Sequence, residues 1–309
     1  MRSPRDCSRP ASVIINGRSA ETVERVAGEL RAHDDDVTGI AADVTTAEGA
    51  QHLVAQAGRI DILVNNLGIF GSTPTLEITD EEWLRYFDVN VVSAARLTRE
   101  LLPAMMSRGW GRVLNIASDS AIVIPEEMIH YGATKTAMLA LSRGSAKAAA
   151  GSGVTVNSVI VGPTRTPGVE DFVYQLVDRD LPWEEAQREF MRKARPQSLL
   201  GRLIEPVEIA NMVAYLSSPL ACHDRCGRTR RRRLRRFDRA LTRTRAGRIV
   251  AISARAVSSQ ESSSRFSGLL GQEVAHARRS IWLRTPAQGA APPWVVLQSA
   301  VRRARFASN

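Results

Sequence analysis

Short uncharged runs rich in β-branched residues alternate, over the first two thirds of this chain, with stretches whose apolar residues recur at helical spacing. That alternation admits few folds. Residues 12–16 (SVIIN) form such a run, closed by Asn16-Gly17, and residues 19–33 follow with helical periodicity. The pattern repeats as strand 37–41, helix 45–57, strand 61–65 (DILVN), a long helix 80–107, strand 112–116, helix 129–150, strand 154–160 and helix 206–217, which opens on Pro206. Thr79, with Glu82 three residues on, predicts a capping box at the start of the long helix. Short apolar strands separated by amphipathic helices require a parallel sheet covered on both faces, because each crossover lays a helix against the sheet.

Charge divides the chain in two. Up to Leu220 there are 22 Lys and Arg against 28 Asp and Glu, a net of −6, whereas residues 221–309 hold 20 Arg, no Lys and 4 acids, a net of +16. The helix-strand rhythm stops after Pro219, and residues 228–239 are nearly continuous Arg. Such a composition buries little apolar surface for many charges, so the tail is expected to be disordered or read out of frame. GC-rich codons chosen for residues 222–237, read one base later, can give Ala-Thr-Thr-Gly-Ala-Ala-Leu-Val-Asp-Gly-Gly-Ser, which motivates the out-of-frame reading. The three cysteines, Cys7, Cys222 and Cys226, give no disulfide framework, and C-x3-C beside the single His223 lacks a second ligand pair, so no metal site is expected. No run of 18 apolar residues exists and residues 1–10 have no apolar core, so the expectation is a cytoplasmic protein without membrane spans.

The chemistry lies in the middle. Tyr131 and Lys135 are spaced Y-x3-K on a helix, which sets both side chains on one face about one turn apart. Alone, that pattern more often describes a surface Tyr beside a solvated Lys. As a pair it has a use, since an ammonium beside a phenol favours the phenolate and lowers a pKa that otherwise sits near 10. Ser118 ends the strand VLNIAS, which places a hydroxyl at the carboxyl edge of the sheet, where open α/β sheets bind ligands. Asn90 sits within the long helix, in F-D-V-N-V, where its modest helix propensity calls for a reason; a buried, satisfied amide is the plain alternative.

Together with Asn65-Asn66-Leu67-Gly68 and the Y-G-A-T-K segment from Tyr131 to Lys135, these residues resemble the short-chain dehydrogenase/reductase family over about residues 12–220. The resemblance implies a Rossmann-type doubly wound parallel sheet and an enzyme acting on a carbonyl/alcohol pair, in the manner of a 3-oxoacyl reductase. It implies that Tyr131 exchanges the proton at the substrate oxygen, that Ser118 holds that oxygen, that Lys135 binds the nicotinamide ribose and depresses the Tyr131 pKa, and that Asn90 holds a water linking Lys135 to solvent. Asp43 in A-D-V would contact the adenine, Asn65 and Gly68 would line the back wall of the cofactor site, and Thr166 would face the nicotinamide amide. NADP(H) is expected over NAD(H), because the end of the strand before Ser19 offers Arg18, a fork of donors suited to a 2′-phosphate, and no acid for a ribose hydroxyl. The resemblance also implies a homo-oligomer and a small-molecule substrate.

Two departures from the family follow. Only eleven residues precede the first run, too few for the strand, glycine-rich turn and helix that open such a fold, and the last strand is missing. The expected organisation is an irregular remnant at 1–11, a truncated domain at 12–220, incomplete at both ends, and the tail at 221–309. The alternatives are a non-catalytic, truncated or frame-shifted remnant and a nucleic-acid-binding role for the clustered arginines. No aromatic platform or recognised module accompanies those arginines, so nucleic acid is not an expected partner.

Overall fold

The computed structural model describes residues 12–32, 36–219, 221 and 249–252. Its centre is a six-stranded parallel sheet. The strands are β1 (Val13–Gly17), β2 (Val37–Ala41), β3 (Ile62–Asn65), β4 (Gly111–Ser118), β5 (Val154–Val161) and β6 (Ile249–Ile252), in the spatial order β2-β1-β6-β3-β4-β5.

Eight helices pack around the sheet among the described residues: α1 (Ala20–Arg31), α2 (Ala47–Ala57), α3 (Asp80–Phe87), α4 (Ser93–Ser107), α5 (Ile129–Ala148), α6 (Pro167–Leu176), α7 (Trp183–Ala194) and α8 (Pro206–Ser217). Strand alternation assigns the two faces. Ile14, Leu63 and Val113 join Leu53 of α2 and Leu97, Leu101 and Met105 of α4 in one core. Their strand neighbours point the opposite way: Val13 and Ile15 meet Val26 and Leu30 of α1, while Ile62, Val64 and Leu114 meet Val213 of α8. Both faces of the sheet are therefore covered, which is why its strands read as continuous apolar runs rather than alternating ones.

Three features differ from the sequence expectation. The long helix 80–107 is interrupted, because Asp88–Val92 forms a π turn between α3 and α4. At its N-terminus the Thr79 hydroxyl accepts from the Glu82 amide at 3.2 Å, but the Glu82 carboxylate accepts from Thr73 Oγ1 at 3.3 Å, so only one half of the predicted capping box is made. Residues 172–198 carry the second half of α6 and all of α7, whose Phe172, Val173, Phe190 and Met191 share a buried cluster with Met128 and Leu203. The third difference concerns the predicted gap beside β1. Instead of an exposed edge, β1 has β6 as its neighbour, and β6 comes from the Arg-rich tail. Four uncharged, mostly β-branched residues suffice for a strand of this length. Apart from Ala221, the rest of the tail and the three cysteines lie outside the described residues.

Candidate active site

Strand β4 ends at Ser118, where the chain turns into a short 3-10 segment, Asp119–Ala121. The Ser118 hydroxyl caps that turn, accepting from the Ser120 amide at 3.1 Å, and donates to Asp119 Oδ1 at 3.1 Å. Helix α5 then returns across the strand end. Its approach depends on Gly132, since a Cβ there would lie 2.8 Å from the Ser120 carbonyl and 2.7 Å from the Ile124 side chain. Only glycine lets the first turn of α5 lie this close to the loop after Ser118, and that contact puts Tyr131 against the serine.

Burial pushes the Tyr131 phenol up to about 12; a hydrogen-bond interaction with Ser118 acts in the opposite direction, Asp119 adds to the rise and Arg195 opposes it. Lys135, one turn further along α5, is buried and donates from Nζ to the Ile116 carbonyl at 2.9 Å. Its removal from water lowers its pKa to about 8. The ammonium stands 5.5 Å from the Tyr131 ring centroid. The depression of the Tyr131 pKa expected from Lys135 is therefore not what this arrangement gives: the ammonium is engaged by β4, and desolvation of the phenol dominates.

Asn90 lies on the π turn, fully buried. Its Oδ1 accepts from the Ile69 amide at 2.7 Å, and its Nδ2 donates to the Ile69 carbonyl at 3.0 Å and to Thr134 Oγ1 at 3.0 Å. Thr134 in turn donates to the Tyr131 carbonyl at 2.7 Å. A π turn inserts one extra residue into a helix and aims a side chain off the helical register. Here it aims the Asn90 amide at the loop after β3 and ties that loop to the turn of α5 that carries Tyr131. Gly68 completes the convergence, since a Cβ there would stand 3.4 Å from both Asn90 Oδ1 and Lys135 Nζ. Ser118, Tyr131, Lys135, Asn90 and Gly68 thus meet at the carboxyl edge of β3 and β4.

The other residues read from the sequence are more dispersed. Asn65 is buried at the end of β3 with its Nδ2 donating to Asn115 Oδ1 at 2.7 Å and to Thr98 Oγ1 of α4 at 3.4 Å, and its Oδ1 has no hydrogen-bond partner among the described residues. Asp43, after β2, accepts from the amide of Thr45 at 3.0 Å and from its hydroxyl at 2.7 Å. Arg96 steadies the same loop by donating to the Val44 and Thr45 carbonyls at 3.0 and 2.9 Å. Arg18 is exposed at the carboxyl end of β1, next to Ser19, which caps α1. Thr166 caps α6 through its hydroxyl, 3.3 Å from the Val169 amide.

Sequence reasoning missed Asp119, Thr134, Asn115 and Arg195. Thr134 and Asn115 lie inside motifs that were read, Y-G-A-T-K and VLNIAS, but their partners are distant in sequence. Arg195, at the end of α7, is 3.5 Å from Glu127 Oε1 and 5.3 Å from the Phe190 ring centroid. It stands near enough to act on the Tyr131 phenol.

The residues present fit the nicotinamide ribose of a dinucleotide cofactor. Lys135 has one hydrogen bond in a buried position, which leaves ammonium donors for a further acceptor, and Gly68 approaches it with bare backbone, a Cβ there standing 3.4 Å from Nζ.

Comparison with known proteins agrees with this geometry. Residues 6–175 match the short chain dehydrogenase family. An uncharacterized oxidoreductase of Bacillus subtilis, YvaG, is 47% identical over 214 residues, covering 68% of this chain and 81% of YvaG. The 3-oxoacyl-acyl-carrier-protein reductase FabG of Pseudomonas aeruginosa is 31% identical, covering 69% of this chain and 82% of FabG. Among solved structures, a variant of actinorhodin polyketide ketoreductase crystallised with NADPH superposes with a TM-score of 0.61 at 30% identity, covering 68% of this chain and 82% of that one. The chain belongs to the short-chain dehydrogenase/reductase family of oxidoreductases.

Proposed function

We propose that this chain is an NADP(H)-dependent reductase of a small carbonyl substrate, with 3-oxoacyl thioesters as the substrate class, and that Ser118, Tyr131 and Lys135 carry the reaction. The observation that bears most weight is the convergence of a hydroxyl, a phenol and a buried ammonium at one strand end. The phenol, held up to about 12, keeps its proton at neutral pH and can donate it to a carbonyl oxygen, while Ser118, its hydroxyl turned from Asp119, donates a second hydrogen bond to that oxygen. Lys135 and Gly68 would hold the nicotinamide ribose, Asn90 would fix the loop that carries Gly68, and Thr166 would face the nicotinamide amide. The cofactor supplies the hydride.

Arg18 is the proposed 2′-phosphate ligand, with Asp43 at the adenine and Asn65 bracing the back wall from within the sheet. The exposure of Arg18 at the carboxyl end of β1 supports that part of the reading, as does the NADPH in the ketoreductase relative. The same reading makes the enzyme a cytoplasmic homo-oligomer. No helix among the described residues is long and apolar enough to cross a membrane.

Turnover of a 3-oxoacyl thioester, followed by loss of reduced-nicotinamide absorbance with NADPH and with NADH, is the test. The expected result is preference for NADPH, reversed or abolished by Arg18→Asp. Equal use of the two cofactors by wild type and Arg18→Asp would remove Arg18 from the site.

A further inference from the structure

Among the described residues, the sheet is continuous only because of β6. Strands β1 and β2 pair with each other, as do β3, β4 and β5, and among the described residues the two groups share no ladder apart from the one through Ile249–Ile252. The same four residues serve both sides: Ile249, Val250, Ala251 and Ile252 stand opposite Val13, Ile14, Ile15 and Asn16 of β1 and opposite Ile62, Leu63, Val64 and Asn65 of β3. All these pairings are parallel. In a doubly wound sheet with strands in the order 3-2-1-4-5-6, the place between β1 and β3 belongs to the first strand of the fold. Here it is taken from the far end of the chain.

We propose that Ile249–Ile252 is a keystone strand: this C-terminal quartet inserts in cis between β1 and β3 and joins the two halves of the sheet. Three observations support this. The segment is the uncharged quartet Ile-Val-Ala-Ile within a stretch of 89 residues that carries 20 Arg, and its β-branched residues suit a sheet interior. A central parallel strand pairs both its edges, and without it the facing edges of β1 and β3 would lose their ladders. The connection is also long enough. Helix α8 packs on β4 and β5, and Ala221 follows it as a buried residue, so residues 222–248 need to cross only a few strand spacings of about 4.8 Å. Their extended reach is about 90 Å at about 3.3 Å per residue, and closing a longer loop costs little more than closing a short one. The last residue of the strand, Ile252, stands opposite Asn16 and Asn65, at the ligand-binding edge of the sheet.

Two measurements on the full chain test the proposal. In a background with Cys7, Cys222 and Cys226 replaced by Ser, the pair Ile15→Cys/Ala251→Cys joins positions in register, at a spacing of about 4.8 Å that a disulfide can bridge. The expected result under mild oxidation in dilute solution is a disulfide within one chain, located by peptide mapping and at least about tenfold more abundant than in the control pair Ile15→Cys/Ala275→Cys. A disulfide between two chains would overturn insertion in cis in favour of exchange between copies, and yields equal to the control would overturn the strand itself.

Hydrogen exchange is the second measurement. Val250→Pro removes an amide from the middle of the quartet and should speed exchange in the peptides spanning β1 and β3 by at least about tenfold, while Val257→Pro leaves them unchanged. Unchanged exchange in both variants would overturn the proposal. If Val250→Pro fails to accumulate as folded protein, the cross-link alone decides.

Discussion

Lys135 Nζ donates to the carbonyl oxygen of Ile116 at 2.9 Å, which fastens a buried charge on α5 to the strand that ends two residues later at Ser118. The bond fixes the relative position of the proposed acid and the ammonium. It also leaves a cation with little solvent, and that has a measurable cost.

Stability should rise with pH above about 8 because of Lys135. Its pKa is lowered from 10.5 to about 8, so between those values the unfolded chain binds a proton that the folded chain does not. The rise amounts to on the order of 3 kcal/mol over the window, at about 1.4 kcal/mol per pH unit. Tyr131 acts in the opposite sense above about 10, where the unfolded phenol ionises and the folded one, held to about 12, does not. Urea unfolding at pH values from about 7 to 10 checks this. Lys135→Met should be flat between about 8 and 10, and a slope equal to that of wild type would show that the ammonium is hydrated in solution.

Asn90 should matter for stability as well as for the site. Asn90→Ala leaves the buried amide and carbonyl of Ile69 without their side-chain partner, at a cost of about 1–3 kcal/mol. The change is read in the denaturation midpoint. An effect below about 0.5 kcal/mol would mean that Ile69 finds other partners and that the π turn has another cause.

His130 makes the opposite prediction. It is fully buried, both ring nitrogens lack hydrogen-bond partners among the described residues, the Tyr86 ring lies tilted by 57° against it with centroids 4.0 Å apart, and Glu82 Oε1 lies 3.6 Å from Nε2. Desolvation lowers its pKa below 6.5, with Glu82 opposing, so the folded chain resists protonation and loses stability as pH falls below about 6.5. His130→Leu should remove that acid sensitivity and should hold or raise stability at neutral pH, since an apolar group replaces an unsatisfied polar one. Thermal unfolding at mildly acidic and neutral pH distinguishes the two forms. A large loss at neutral pH would show a hydrogen bond to the imidazole.

Much of the sheet was legible because strands buried on both faces are apolar throughout and the helices between them are periodic; residues 37–41 and 206–217 are bounded in the structure as the sequence bounds them. The π turn was not, because its cause is the amide-to-backbone bond between Asn90 and Ile69, 21 residues apart. Strand β6 escaped notice because four apolar residues among many arginines are too short a run for periodicity to resolve. At the site, Ser118, Tyr131 and Lys135 announced themselves by joint spacing. Asn65 was placed at a cofactor wall by its motif, whereas its amide turns to Asn115 on the next strand, a pairing that only the register of β3 on β4 brings about. His130 carried no signal, since one histidine before a motif tyrosine has no pattern of its own.

The central claim is that the Tyr131 phenol transfers the proton, and single-turnover reduction of a 3-oxoacyl thioester with deuterated NADPH tests it most directly. Wild type should deliver deuterium to the carbonyl carbon, and Tyr131→Phe should slow that step by about 10²–10⁴ while cofactor affinity, measured by calorimetric titration, changes little. Equal rates in the two proteins, or no deuterium transfer by wild type that binds NADPH, would contradict the account.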